Sequence, residues 1–400
     1  MIGLNEIKGL SSEWGLPVET IEKDYVLGWL LSGIARNETI GKKWVFKGGT
    51  CLKKCYMETW RFSEDLDFTV LPDGITEQKE ILKQLNNILG QVQSESGIQF
   101  SLEKIKLEKR PNQKSIEGRV YFQSLTGRTT PVSLKLDITK DEVVVLEPIR
   151  RPVAHTYSDY LPLGSEVLCY TFQELFAEKI RAMGERTRPR DLYDIANIFW
   201  RCQELNSNET KNVLNKKCEY KKVPVITLEL IQRSPSLIDL KTEWKNMLGH
   251  QIQELPDVDH YMSALPELFQ WLEGQSKIEV MPLFPIQPNE ALDQEWKPPV
   301  TISRWQEGTH LEKIRFAAAN RLCIDLRYNG SNRFIEPYSL RKTKDGNIIL
   351  HARKHTTKED KTYRVDKIED AKITKVSFIP AYQIEITTIF QIQNPIRTNA

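Results

Sequence analysis

Between residues 18 and 36, Ile21, Tyr25, Leu27, Trp29, Leu30 and Ile34 recur at the intervals of a helix with one broad apolar face. Residues 76–95 repeat the pattern through Ile81, Leu82, Leu85, Ile88, Leu89 and Val92. Shorter runs with strand character lie between and after these helices. Trp44-Val45-Phe46-Lys47 is a compact apolar run ending at a glycine pair, and Asp65 to Val70 alternates carboxylate with apolar before turning β-branched. Within 131–139, Val132, Leu134 and Leu136 alternate with Ser133, Lys135 and Asp137, a period of two. Arg119 to Phe122 and Val143 to Leu146 read as further strands. Strands mixed with capping helices predict an α/β or α+β core.

From 171 the pattern is helical. Thr171 to Glu185 carries Leu175, Phe176, Ile180 and Met183 as its buried stripe. Arg186-Thr187-Arg188-Pro189 interrupts it, because proline stops propagation yet suits the first turn of the next helix, Arg190 to Trp200. Helical spacing ends with Leu265, Leu268, Phe269, Trp271 and Leu272, and Pro282, Pro285, Pro288, Pro298 and Pro299 then predict an extended connector. A short helix at 309–319 precedes five strand-like runs at 322–328, 333–340, 347–354, 362–365 and 371–378, punctuated by Gly330 and Gly346, which together predict a small β-barrel. The expected division is a core over 1–170, a helical half over 171–272, a connector over 273–300 and a barrel over 301–400.

Composition narrows the chemistry. A 400-residue chain with 40% hydrophobic and 28% charged residues can bury ample core in two to three domains. No apolar run approaches membrane-spanning length and no export signal opens the chain, so a soluble cytoplasmic protein is expected. Six cysteines are too sparse for a disulfide scaffold, and Cys51 with Cys55 lacks a second pair and reads as packing. The six histidines are scattered and form no metalloprotease pattern. Basic charge gathers at the C-terminal end: residues 301–400 hold 18 Lys and Arg against 11 Asp and Glu, while the first 300 hold 38 against 43.

The chemistry concentrates in two neighbouring motifs. Gly48-Gly49-Thr50 can present bare backbone N–H groups to a triphosphate, and Asp65 and Asp67, two apart on a strand, point to one face where they can share a divalent metal. Asp137 lies on the polar face of a strand expected beside them. Asp191 and Asp194 share one helix face, where they also complement a helix N-terminus. Lys179, flanked by Glu178 and Arg181, reads on its own as a solvated helix residue.

The chain resembles the AbiEii/AbiGii toxin family of minimal nucleotidyltransferases, a branch of the DNA polymerase β-like superfamily. The carriers are Glu22-Lys23-Asp24-Tyr25, Phe46-Lys47-Gly48-Gly49-Thr50, Arg61 to Phe68, Glu178 to Ala182 and Arg190-Asp191-Leu192-Tyr193-Asp194, spread from about 10 to 272. The resemblance implies an α+β fold, with a mixed-sheet nucleotidyltransferase core and a helical half carrying the second part of the site. It implies that Asp65 and Asp67, with Asp137, bind Mg2+ or Mn2+, and that Gly48, Gly49, Thr50, Lys47, Ser63, Lys179 and Arg190 bind the nucleoside triphosphate. Asp194 and Asp191 complete the catalytic set. It further implies a toxin–antitoxin or antiviral setting, with a cognate antitoxin or other defence protein as partner. The acceptor would be RNA, foremost the tRNA 3' end. Nucleotidylation or phosphorylation of a protein, and a non-catalytic nucleotide-sensing DNA-binding regulator, stay open.

The C-terminal part is similar to the WYL domain, an SH3/Sm-like barrel, through Leu326-Arg327-Tyr328, Arg333 to Tyr338 and Tyr363 to Ile368. It departs at the signature, where Ile348-Ile349-Leu350 keeps only the leucine. Arg333, Arg341, Lys342, Arg353, Lys354 and Arg364 are the candidate surface for nucleic acid or a nucleotide-like ligand.

Overall fold

The computed structural model describes residues 1–57, 61–111, 114–201, 205–252, 254–276, 281–286, 290–296 and 310–386. The N-terminal part runs α1 (Leu4–Trp14), α2 (Val18–Arg36), β1 (Trp44–Lys47), α3 (Gly48–Cys51), β2 (Asp65–Val70), α4 (Gln78–Ser96), β3 (Lys106–Lys109), β4 (Ser115–Phe122), β5 (Val132–Thr139), β6 (Ile149–Pro152) and β7 (Glu166–Cys169). The seven strands form one mixed sheet in the order β3-β4-β5-β2-β1-β7-β6. Its centre is antiparallel between β1 and β2 but parallel between β2 and β5 and between β1 and β7. A single residue-to-residue register follows from this: Asp67 of β2 lies beside Asp137 of β5 and opposite Lys47 of β1.

α2 is buried nearly all round rather than on one face, and this includes Glu22 and Asp24. The buried charges hold loops in place. Asp24 Oδ2 accepts from Lys54 Nζ at 2.6 Å and from the Tyr157 hydroxyl at 2.8 Å, and Glu22 Oε1 accepts from Ser124 Oγ at 2.8 Å and the Thr126 amide at 2.9 Å. The apolar run Val143 to Leu146 is not a strand. Its backbone is satisfied by side chains instead: the Val145 and Leu146 amides donate to Glu174 at 2.9 and 2.8 Å, and the Val143 carbonyl accepts from Lys217 at 3.0 Å.

The helical half comprises α5 (Phe172–Arg186), α6 (Pro189–Arg201), α7 (Ser207–Lys221), α8 (Leu228–Gln232), α9 (Leu237–Leu248), α10 (Val258–Met262) and α11 (Leu265–Leu272). Thr171 caps α5 by accepting the Glu174 amide, as a threonine N-cap should. α5 ends at Thr187 in the left-handed region, φ 44°, and Pro189 opens α6 two residues later. One continuous apolar core joins this half to the sheet.

The C-terminal part has α12 (His310–Ala319) packed on an antiparallel sheet of β8 (Leu322–Tyr328), β9 (Ser331–Lys342), β10 (Ile348–Lys354), β11 (Asp360–Arg364) and β12 (Ile368–Ser377), in the order β11-β10-β9-β8-β12. Among the described residues the two outer strands do not pair, so the sheet stays open while keeping the expected barrel-like five-stranded order. The described pieces of the proline-rich stretch are not a free connector. Phe284 is buried against Tyr338, His351 and Tyr382, and Leu292 bridges to Thr343. No helix among the described residues is long and apolar enough to cross a membrane.

Candidate active site

β1 delivers the chain into Gly48, whose φ of +81° suits glycine and few other residues. A β-carbon there would sit 2.2 Å from Asp67 Oδ2, so glycine lets the turn close onto the β2 carboxylate. Gly49 has a similar function toward the other side: a β-carbon would meet Arg61 Nη2 at 2.7 Å and Ser63 Oγ at 3.1 Å. Thr50 ties the turn to β2 through a 2.5 Å hydrogen bond from its hydroxyl to the Asp65 carbonyl.

A polar cavity of about 290 Å³ opens at this turn, and its walls include Lys47, Gly48, Asp67, Asp137, Glu178, Lys179 and Arg186. Residues from three distant stretches of sequence therefore share one cleft, and Lys179 is buried in its wall rather than solvated. Burial pushes the Asp67 carboxyl up to about 6, against the pull of Lys47, with Asp65 and Asp137 adding like charge. The oxygens of the three aspartates are not all within 4.8 Å of one another. Asp137 accepts from the Arg110 guanidinium at 2.6 Å.

Behind the cleft lies a charge network around two buried carboxylates, of which the sequence suggested only a pairing of Asp191 with Arg186 or Arg190. Arg61 donates to both oxygens of Asp194 at 2.8 Å, and Lys179 Nζ reaches the same carboxylate at 2.8 Å and Asp191 at 3.7 Å. Arg186 closes on Asp191 with two donors at 2.7 and 2.9 Å, across the turn between α5 and α6. Burial opposes ionisation of Asp194, but Arg61 and Lys179 outweigh it and hold the carboxyl below its usual range. Lys47 pairs with Glu178 at 3.1 Å, and Glu178 also meets Lys217 at 3.2 Å. Despite burial, Lys47, Lys217 and Arg181 hold the Glu178 carboxyl far below its usual value. Burial would lower Lys47, yet Glu178, Glu142 and Asp67 keep its ammonium above the ordinary range.

Arg190 projects beside Asp65 and Glu64. Its Nε is buried with no hydrogen-bond partner among the described residues, and burial together with Arg61 lowers its proton affinity. Ser63 is buried at the Gly49 turn. Arg186 was a candidate partner of Asp191 from sequence, and the structure makes that pair; Arg61 and Glu178, though inside the quoted motifs, and Lys217 had no role assigned to them. The available signal was charge inside apolar helix faces: Asp191 and Asp194 are flanked by Leu192, Tyr193 and Ile195, and a carboxylate amid such neighbours needs a buried cation.

On the C-terminal sheet the six expected cations do not form one open patch. Arg341 pairs with Glu385, Arg353 with Asp360, Lys354 with Glu359 and Arg364 with Asp366. Arg333 and Lys342 have no ion pair among the described residues.

A glycine turn facing strand-borne carboxylates, with a lysine reaching in from a helical half, belongs to a nucleotidyltransferase. Residues 29–272 match the family described as "Nucleotidyl transferase AbiEii toxin, Type IV TA system", and the chain belongs to that family. Residues 309–373 match the WYL domain. Among solved structures the chain is similar to MenT4, a nucleotidyltransferase toxin from Mycobacterium tuberculosis H37Rv, at 18% identity and TM-score 0.48, over 67% of this chain and 87% of that one. Comparison with curated proteins finds no match. Enzymes of this family generally use a nucleoside triphosphate with a divalent metal, and a type IV toxin implies a cognate antitoxin.

Proposed function

We propose that the protein transfers a nucleotide from a nucleoside triphosphate to RNA, foremost the 3' end of tRNA, with Mg2+ or Mn2+, and so blocks translation until its antitoxin intervenes. The observation that carries this reading is the shared cavity: Gly48, Asp67, Asp137 and Lys179 come from four separate elements and line one polar cleft.

The donor set suits a hard dication. Asp67 and Asp137 are register neighbours, and Asp65 is two residues along the same face of β2, so three carboxylates gather at one edge of the cleft; the Asp67 carboxyl is raised mainly by burial, with Asp65 and Asp137 adding like charge. When bound, such a cation polarises the α-phosphate and neutralises the departing pyrophosphate. Gly48, which lines the cavity, with Gly49 and Thr50 directly behind it at the start of α3, offers backbone N–H groups to the phosphates. Lys179 carries positive charge at the cleft wall, and Lys47, Ser63 and Arg190 flank the same turn; these four bind the triphosphate tail. Asp194 and Asp191 act through their partners. They fix Lys179, Arg61 and Arg186, so their effect on catalysis is positional. The acceptor hydroxyl attacks the α-phosphorus, the bond to the β-phosphate oxygen breaks, and pyrophosphate leaves.

For the C-terminal sheet, Arg333 and Lys342 are the first residues to examine as RNA contacts, since the other four cations are committed to carboxylates. The test is incubation with each of the four labelled triphosphates, with deproteinised RNA and separately with total protein, with and without Mg2+. Label should enter the RNA pool and require the metal. Label in protein alone would replace RNA by a protein acceptor.

A further inference from the structure

Beneath the nucleotide turn, three cysteines meet. Cys51 closes α3, Cys55 follows one turn later in the π-helical segment Leu52–Tyr56, and Cys169 comes from β7, the strand beside β1. All three side chains are fully buried, and their sulfurs lie within 4.8 Å of one another. Among the described residues this is the only group of three or more metal-ligating side chains gathered so tightly. The pair Cys51 and Cys55 alone reads as packing, because a buried thiol is a small apolar group. The third sulfur, brought in from more than a hundred residues away, changes the chemistry of the group.

We propose that Cys51, Cys55 and Cys169 bind one thiophilic metal ion, zinc in the first instance, in a structural site separate from the nucleotide cleft. Metal–sulfur bonds of about 2.3 Å place the sulfurs of a shared ion roughly 4 Å apart, so the cluster needs less than about 1 Å of closure. Thiolates select soft or borderline cations and not the hard dication of the cleft, which takes oxygen. Three thiolates and a dication leave one negative charge, and a cation is at hand. Arg151 donates to the Cys55 carbonyl at 3.1 Å and stacks its guanidinium 5.0 Å from the Tyr56 ring centre. The Tyr56 hydroxyl in turn lies 3.6 Å from the Cys169 sulfur. Because the sulfurs are closed off from solvent, the ion is taken up as the chain folds. Its place ties the segment that follows Gly48-Gly49-Thr50 to β7, which stiffens the base of the nucleotide turn.

The full-length protein purified without chelator should carry one equivalent of zinc by elemental mass spectrometry. Refolding with Co2+ alone should give the intense near-ultraviolet absorption of thiolate-to-cobalt charge transfer. Cys55→Ser and Cys169→Ser should lose both signals, while Cys218→Ser, which alters a buried cysteine elsewhere, should keep them. Folded wild type without stoichiometric metal and without the cobalt signal overturns the proposal. So does a native mass lower by two hydrogens, which would mean a disulfide, or unchanged metal content in Cys55→Ser. Should the serine variants fail to fold, the wild-type metal content and cobalt spectrum decide alone.

Discussion

Replacing Gly48 by alanine tests whether the turn and the β2 carboxylate form one device. The substitution adds a single methyl group, but at φ +81° it must hold a left-handed backbone, at a cost of about 1–2 kcal/mol. It also collides with Asp67, since the new carbon would sit 2.2 Å from Oδ2, well inside the distance at which any β-carbon is found. Relief requires Asp67 or the turn to move by roughly 1 Å, a displacement that costs on the order of 10²-fold in rate when it separates a catalytic group from its substrate. The expected result is a folded protein, destabilised by about 1–3 kcal/mol, whose incorporation of labelled nucleotide falls about 100-fold. Gly90→Ala serves as control, because a β-carbon there meets nothing within 4 Å. Circular dichroism and thermal melts read the fold, and nucleotide incorporation reads the chemistry. If Gly48→Ala melted like Gly90→Ala and incorporated label at the wild-type rate, the coupling of turn to carboxylate would be refuted.

Other outcomes follow from the same geometry. Asp65→Ala and Lys179→Ala should each abolish incorporation with secondary structure intact; for Lys179 this is expected because Asp194 keeps Arg61 and Asp191 keeps Arg186. Arg61→Met should unfold at markedly lower denaturant, by about 3–5 kcal/mol, because it strips a buried carboxylate of its two-pronged partner. Asp24 is opposed by burial but held below its ordinary range by Lys54, so its stabilisation is complete above the unfolded-state value near pH 4 and is lost as pH falls through the lower folded value. Asp24→Asn should therefore be less stable at pH 7 and show a shallower loss below pH 4 in denaturant titrations. Asn320→Ala removes the group that accepts from Tyr193 at 3.2 Å and Tyr261 at 2.9 Å, and should loosen the C-terminal part, read as a lower thermal midpoint.

Legibility from sequence tracked locality. β1, β2, β5, α4, α5 and α6 were readable because their apolar spacing and their glycine or proline punctuation act within a few residues. The pairing of Asp67 with Asp137 could be anticipated as a neighbouring strand, but its register came only from the parallel ladder. Most of the buried network was hidden because its partners are far apart: Arg61 and Asp194 are separated by 133 positions, and Lys47 and Glu178 by 131. Val143 to Leu146 misled for a related reason. An apolar β-branched run signals a strand only if another strand supplies its hydrogen bonds, and here Glu174 and Lys217 supply them. The third cysteine was invisible in the same way, since the β1–β7 pairing alone brings Cys169 to Cys51 and Cys55.

The most direct measurement of the central claim is calorimetric titration of wild type and Asp67→Asn with a nucleoside triphosphate whose α–β bridge cannot be cleaved, in Mn2+ and in chelator. Strong binding by wild type only with the metal, and its loss in the variant, is the predicted result. Equal, metal-independent binding by both proteins would contradict a cleft built from Asp67, Asp137 and Lys179 around a metal-bound triphosphate.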